Sequence, residues 1–232
     1  MSKIFGFKPS IFAALALICM TAVSALAANG YSLFGGAELV SPGYNSPTSA
    51  QLASTTAEPF SGVDLTVPEG LTVGDLENLS TWYYFEEGTC GGGAPRFTVG
   101  TNEGNIFIYL GDYPNYTNCP QDIWTNSGNL VEDGDYVDTS QLGGNFYQTW
   151  ADAVAAYGDL EITSIQLVND GSWFAGDVVV KVDNVDVNGM IWTFESKNSC
   201  KNGGFGQFLD EEGNQLYKNQ GQCVSYYARG GE

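Results

Sequence analysis

Short runs of alternating apolar and polar residues dominate this chain, and few stretches carry the 3.6-residue period of an amphipathic helix. The clearest run is Gly176–Ser196, GDVVVKVDNVDVNGMIWTFES. Two β-branched segments flank Asn188-Gly189, a pair that tolerates the positive φ of both loop positions in a type I′ turn. A two-residue loop sets Val187 opposite Met190, Asp186 opposite Ile191 and Val185 opposite Trp192. Val185, Val187, Met190, Trp192 and Phe194 then share one core-facing side. Strict alternation would turn Val178, Val180 and Val182 to the other side. One extra residue near Asp183-Asn184, a β-bulge, returns them to the core.

The same reading predicts strands at Tyr31–Val40, Ala50–Thr55, Val63–Val67, Thr81–Phe85, Phe97–Val99, Asn105–Leu110, Trp124–Val131, Tyr136–Val137 and Glu161–Val168, the last buried on both sides. Leu71–Leu79 reads as a turn-and-strand step. One helix stands out, Tyr147–Tyr157. Phe146, Trp150 and Val154 form its apolar stripe, Thr149 with Asp152 caps its start, and Gly158 fits its C′ position. The expected fold is therefore all-β: an antiparallel β-sandwich of jelly-roll type with one short helix. Its last strand pair is the Asn188-Gly189 hairpin, with Met190–Phe194 beside the first strand. After Ser196 alternation fades into Asn, Gln and Gly. Residues 196–232 read as a small appendage stapled by its own cysteines, since so short a segment cannot bury a core alone.

The beginning of the chain has another character. Lys3 and Lys8 precede the apolar run Ile11–Met20, and Ala25-Leu26-Ala27 fits a cleavage site before Ala28, so residues 1–27 read as a secretory signal peptide. The run is short for a membrane span, and Cys19 follows Ile18 rather than the small residue of a lipid-attachment site. Residues 28–195 form the sandwich domain of a secreted, extracellular protein with no membrane contact after cleavage. Removing the leader takes away two lysines and no acid, leaving 6 basic against 27 acidic residues, a formal charge of −21. Such a surface repels nucleic acid and anionic membranes. Four cysteines remain, Cys90, Cys119, Cys200 and Cys223. An even count in a secreted chain reads as two disulfides, and sequence proximity favours Cys90–Cys119 and Cys200–Cys223; zinc binding lacks any CxxC spacing.

The chemistry on offer is narrow. The chain has no histidine, which removes Ser-His-Asp and Cys-His hydrolysis in their usual forms. Gly91-Gly92-Gly93 is followed by no Lys-Ser/Thr and no helix, so it is no phosphate loop. Asp138-Thr139-Ser140 matches the aspartic-protease triplet but has no second copy, and it reads as a capped turn. Glu86 and Glu87 are the start of a glycosidase pair at best, because neighbours in a strand point to opposite faces. Binding is better supplied. Tyr113 and Tyr116 flank Pro114-Asn115 and Trp173 sits beside a turn, where flat rings with polar tips suit sugar faces; Trp82, Trp124, Trp150 and Trp192 read as core. Glu132, Asp133 and Asp135 offer oxygens to a structural Ca²⁺; no cofactor is required.

AELVSPGYNS, LSTWYYFEEGTCGGGAPRF, NIFIYLGDYPNYTNC, DTSQLGGNFYQTWADAV, ITSIQLVNDGSW and VVVKVDNVDVNG together span most of residues 30–195. On these stretches the chain resembles a family of uncharacterised secreted proteins, mostly bacterial, with galactose-binding-like or carbohydrate-binding-module-like jelly rolls. The tail, CKNGGF with YKNQGQCVSY, resembles a short module recurring at the C-termini of secreted proteins, with Phe205 where that module carries Trp. The resemblance carries over no catalytic residue. It implies the jelly-roll fold and no particular function; the loop aromatics lead to the expectation of a non-catalytic module for a polysaccharide or cell-surface glycan, with a structural or adhesive matrix protein as the alternative and a carboxylate glycosidase a distant third.

Overall fold

The alternating segments pair as two antiparallel sheets in the computed structural model, which describes residues 30–229; the expected signal peptide lies outside the described residues. One sheet holds β1 (Tyr31–Gly35), β4 (Ser61–Leu65), β11 (Ile162–Asn169), β6 (Arg96–Thr101) and β7 (Asn105–Tyr109), in that order. The other holds β2 (Ala37–Val40), β3 (Ser49–Ser54), β12 (Val178–Val187), β5 (Leu79–Glu87) and β8 (Thr125–Asn126), with β13 (Met190–Trp192) added to β12. Each of the steps β3 to β4, β5 to β6, β7 to β8 and β11 to β12 crosses from one sheet to the other. The resulting orders, 3-12-5-8 facing 4-11-6-7, are those of an eight-stranded jelly roll. Strands β1 and β2 extend its edges.

The closing hairpin has the expected register, Val185 opposite Trp192, Asp186 opposite Ile191 and Val187 opposite Met190. Asn188 and Gly189 both have positive φ, 52° and 83°. The Asn188 side chain also ties the turn to the body, accepting from the Glu77 and Asn78 amides and donating to the Asp75 carbonyl. The bulge lies where the valine pattern requires it. Against β5, Asp183 faces Trp82 but Asp186 faces Ser80, so three steps on β12 match two on its partner, and Asn184 takes a φ of 46°. Val178, Val180, Val182, Val185 and Val187 are consequently all buried. Strand β13 does not pair with the first strand. It hydrogen-bonds β12 beyond the stretch that β3 occupies, while β1 lies in the opposite sheet. Contact with the first strand is through side chains: Phe194 meets Tyr31 edge to face at 5.0 Å, and the Trp192 indole N–H donates to the Gly30 carbonyl at 3.1 Å.

Other departures have local causes. Tyr31–Val40 is two strands in different sheets because the chain turns at Gly35, with a φ of 60°, where a Cβ would run into the Phe60 carbonyl. Trp124–Val131 yields only the two residues of β8, because Asn126 and Asn129 turn their side chains onto backbone amides. Leu71–Leu79 contains a 3₁₀ turn, Val73–Asp75. Strand β11 has one wholly apolar side, Ile165 and Leu167, whereas Ser164 and Gln166 opposite are half-exposed. At its end Asn169 is fully buried and bridges the sandwich, donating to the Leu52 and Val178 carbonyls.

Helix α1 spans Trp150–Tyr157 with Thr149 as N-cap, its hydroxyl accepting from the Asp152 amide. The preceding Gln148–Thr149 (β10) pairs with Tyr136–Val137 (β9). Phe146 therefore falls outside the helix, and Gly158 ends it right-handed rather than left-handed. A single turn, α2, covers Ser172–Ala175. Cys90 pairs with Cys119 and Cys200 with Cys223. The appendage closes a small cluster of Cys200, Phe208, Tyr217 and Cys223, and contains a helix the alternation pattern does not predict, α3 (Gln220–Ala228), capped by Asn219. It docks on residues 43–48 through Leu209 N to Asn45 O, 2.8 Å, and Thr48 Oγ1 to Ser199 Oγ, 3.0 Å.

Candidate functional site

The disulfide Cys90–Cys119 gathers two loops at one end of the sandwich. The Asp112 amide bonds the Thr117 carbonyl at 2.7 Å, so the tip between them presents Tyr113 outward and Tyr116 inward. Tyr113 is 49% exposed and stacks on Tyr136, centroids 4.1 Å apart; Tyr147 meets it edge-on at 5.3 Å. Phe146 packs on Tyr147 at 4.8 Å and on buried Tyr109 at 5.8 Å. Tyr113, Tyr136, Phe146 and Tyr147 thus form one exposed aromatic surface over Tyr109 and Tyr116. A pocket of about 260 Å³ opens among Tyr109, Tyr113, Tyr116 and Tyr136, with Asp135 on its wall. Below it Tyr109 donates to Asp138 Oδ2 at 2.9 Å, and burial with the Asp138 charge pushes that phenol up. The Asp138 triplet is a structural turn, its other oxygen accepting from the Ser140 amide.

The residues nominated by sequence separate here. Tyr113 belongs to the exposed surface. Tyr116 does not: it is only 5% exposed and serves as packing, in a left-handed backbone (φ 51°) fixed by the rings around it. Trp173 is 72% exposed but sits on α2 with Phe174, outside this ring cluster. Tyr136, Phe146 and Tyr147 were missed. Phe146 and Tyr147 resemble the start of a helical stripe until the Thr149 cap is recognised. Asp135 accepts the Glu132 amide, and no group of three or more acidic or Cys side chains, Glu132, Asp133 and Asp135 included, is arranged for a metal among the described residues. Glu86 and Glu87 do not lie on opposite faces as alternation expects. A second bulge leaves both exposed, with Glu86 held by Lys181 at 2.6 Å and by Gln51.

A second aromatic surface lies on the outer face of the β5–β12 sheet. Trp82 and Trp124, expected in the core, are half-buried there, whereas Trp150 and Trp192 are buried as expected. Tyr44 stacks on Trp82, centroids 3.6 Å apart, and Trp124 touches both Tyr44 and Tyr84. Between this face and the appendage runs a groove of about 780 Å³. Glu195 lines its base, and a second buried carboxyl group, Asp183, lies beneath the lining residues Tyr44 and Ser46. Asp183, with no exposed surface, accepts from the Tyr44 amide, the Ser46 hydroxyl and the Asn184 amide at 2.8–2.9 Å. Burial first, then the charge of Glu195, holds it well above the usual carboxylate range. Glu195 is 8% exposed, its Oε1 has no hydrogen-bond partner among the described residues, and burial pushes it up as well. Neither acid was nominated by sequence, because in an alternating strand each reads as a solvated position.

No protein-family model matches the chain, and no curated protein or solved structure matches it either. The jelly-roll assignment therefore rests on strand order alone.

Proposed function

We propose that the chain is a secreted, non-catalytic jelly-roll module that binds a glycan at the Tyr113 surface. The observation that carries this is the contiguous run of exposed rings, Tyr136, Tyr113, Tyr147 and Phe146, around a pocket that also offers the Asp135 carboxylate. Flat aromatic bodies bind the apolar faces of sugar rings, and an adjacent carboxylate accepts from sugar hydroxyls. The leader-like start, two disulfides and strong acidity support export. No helix among the described residues is long and apolar enough to cross a membrane.

Native gels cast with soluble polysaccharides test the reading. The mature protein should be retarded, and Tyr113→Ala should weaken retention about tenfold, a loss of about 1.4 kcal/mol. Trp173→Ala should leave it unchanged. If no polysaccharide retards the protein, or if Trp173→Ala abolishes retention while Tyr113→Ala does not, the Tyr113 surface is not the site.

A further inference from the structure

The groove beneath the appendage shares none of its lining residues with the Tyr113 pocket, and its chemistry differs. Its walls combine Tyr44 and Trp82 with the acids Asp186, Asp210 and Glu211. No lysine or arginine among the described residues lines it. Lys181, on the same sheet face, is already paired with Glu86. Independently of these acids, Glu195 also lines the groove, and its buried Oε1 has no hydrogen-bond partner among the described residues. An unpartnered buried carboxylate oxygen is costly, and a ligand that brings N–H donors removes that cost. About 780 Å³ falls within the range of small-ligand pockets.

We infer that this groove is a separate site for a cationic amino sugar, of the kind found in deacetylated glucosamine oligomers. The ammonium groups meet the acidic rim and Glu195, while the aromatic wall takes the ring faces. Side-chain amides and hydroxyls of Asn45, Asn126, Asn184, Ser80 and Thr193 supply partners for neutral sugar hydroxyls, which favours an amino sugar over a basic peptide. The inference does not depend on the Tyr113 site.

Isothermal titration of the full mature chain with a glucosamine tetramer at low salt is the test, with the N-acetylglucosamine tetramer and tetralysine as controls. The glucosamine tetramer should bind at least tenfold more tightly than either control, and more weakly as salt is raised. Asp186→Asn with Glu211→Gln should reduce its affinity fivefold or more, and both changes keep side-chain size so that folding is retained. Trp82→Ala should weaken it further, and Tyr113→Ala should leave it unchanged. Equal binding of the acetylated tetramer would overturn the requirement for charge, and tighter binding of tetralysine would overturn the sugar assignment. Affinity unaltered in the double variant, lost in Tyr113→Ala, or absent for all three probes would remove the site.

Discussion

Deleting Asn184 is the sharpest test of how this sandwich is specified. The residue is the extra step of the β12 bulge, and without it alternation would run unbroken from Val178 to Val187. Val182 and Val185 then lie two residues apart, so all five valines keep the core face, and Asp183, Val185 and Asp186 meet Trp82, Thr81 and Ser80 in regular pairing. With Asn184 present, a strand that refused the bulge would have to turn Val185 and Val187 out. Each fully buried valine contributes roughly 1.5–3 kcal/mol. That strand would lose two of them, about 3–6 kcal/mol, before counting Trp192, whose register follows Val185. Domains of this size have about 5–15 kcal/mol in all, so the parent must keep the bulge, whereas the deletion variant does not need one. It should therefore fold, weakened by about 1–2 kcal/mol through loss of the Asn184 amide bond to Asp183.

Point substitutions at the same position separate the extra residue from its conformation. Asn184→Gly accepts a φ of 46° without steric cost, so its stability should lie within about 0.5 kcal/mol of the parent. Asn184→Val must place a β-branched side chain in the left-handed region, costing about 1–2 kcal/mol. Urea unfolding followed by tryptophan fluorescence, with Trp192 fully buried as reporter, reads all three. A deletion variant that is unfolded at 25 °C, or that unfolds with a clearly lower m-value than the parent, would refute the reasoning.

Two further perturbations follow from the base of the groove and from the appendage. Asp183 and Glu195 both have raised pKa values, so above about pH 4 the native state holds more protons than the unfolded chain, and their contribution to stability falls as pH rises through the raised values toward neutrality. Glu195→Gln should stabilise the protein at pH 7 more than at pH 4 and flatten that slope; a melting temperature that rises equally at both pH values would contradict this. Removing Cys200–Cys223 as a double serine variant frees a loop of 23 residues' separation, worth about 3.4 kcal/mol by loop entropy, against a cluster of only four buried side chains. The appendage alone should become cleavable, with proteolysis stopping near Ser196; a resistant tail would show that docking on residues 43–48 suffices.

Legibility in the sequence tracked how local the physics was. The hairpin register, the bulge, the Thr149 cap and both disulfide pairings rest on neighbours in the chain or on valine alternation, and all could be read directly. The break at Gly35 could not, because the carbonyl that requires a glycine there belongs to Phe60. Tyr113 and Tyr116 sit three apart in one loop with the same chemistry. Which one faces water is decided by Tyr109 and Phe146, from other elements. Trp82 alternates correctly with Tyr83, but alternation alone does not say which of the two faces the other sheet. Buried Asp183 was hidden for the same reason, since its cover is a loop about 140 residues away in sequence.

That cover links the fold to the groove. Placing five valines in the core requires the bulge, and Asp183, the residue after core-facing Val182, lies on the outer face at its start. A charged group there is tolerable only with donors, and the loop at 43–46 supplies them from the Tyr44 amide and the Ser46 hydroxyl. Gly43 makes the approach possible, because a Cβ at that position would come within 2.5 Å of the Asp183 carboxylate. Anchoring the loop lays the Tyr44 ring on Trp82 and offers the Asn45 carbonyl to Leu209 of the appendage. One wall of the groove and the docking of the unit that forms the other thus both depend on the loop anchored at Asp183. Deleting Asn184 takes one donor from that anchor, so the deletion and the titration with an amino sugar probe the same anchor from its two sides.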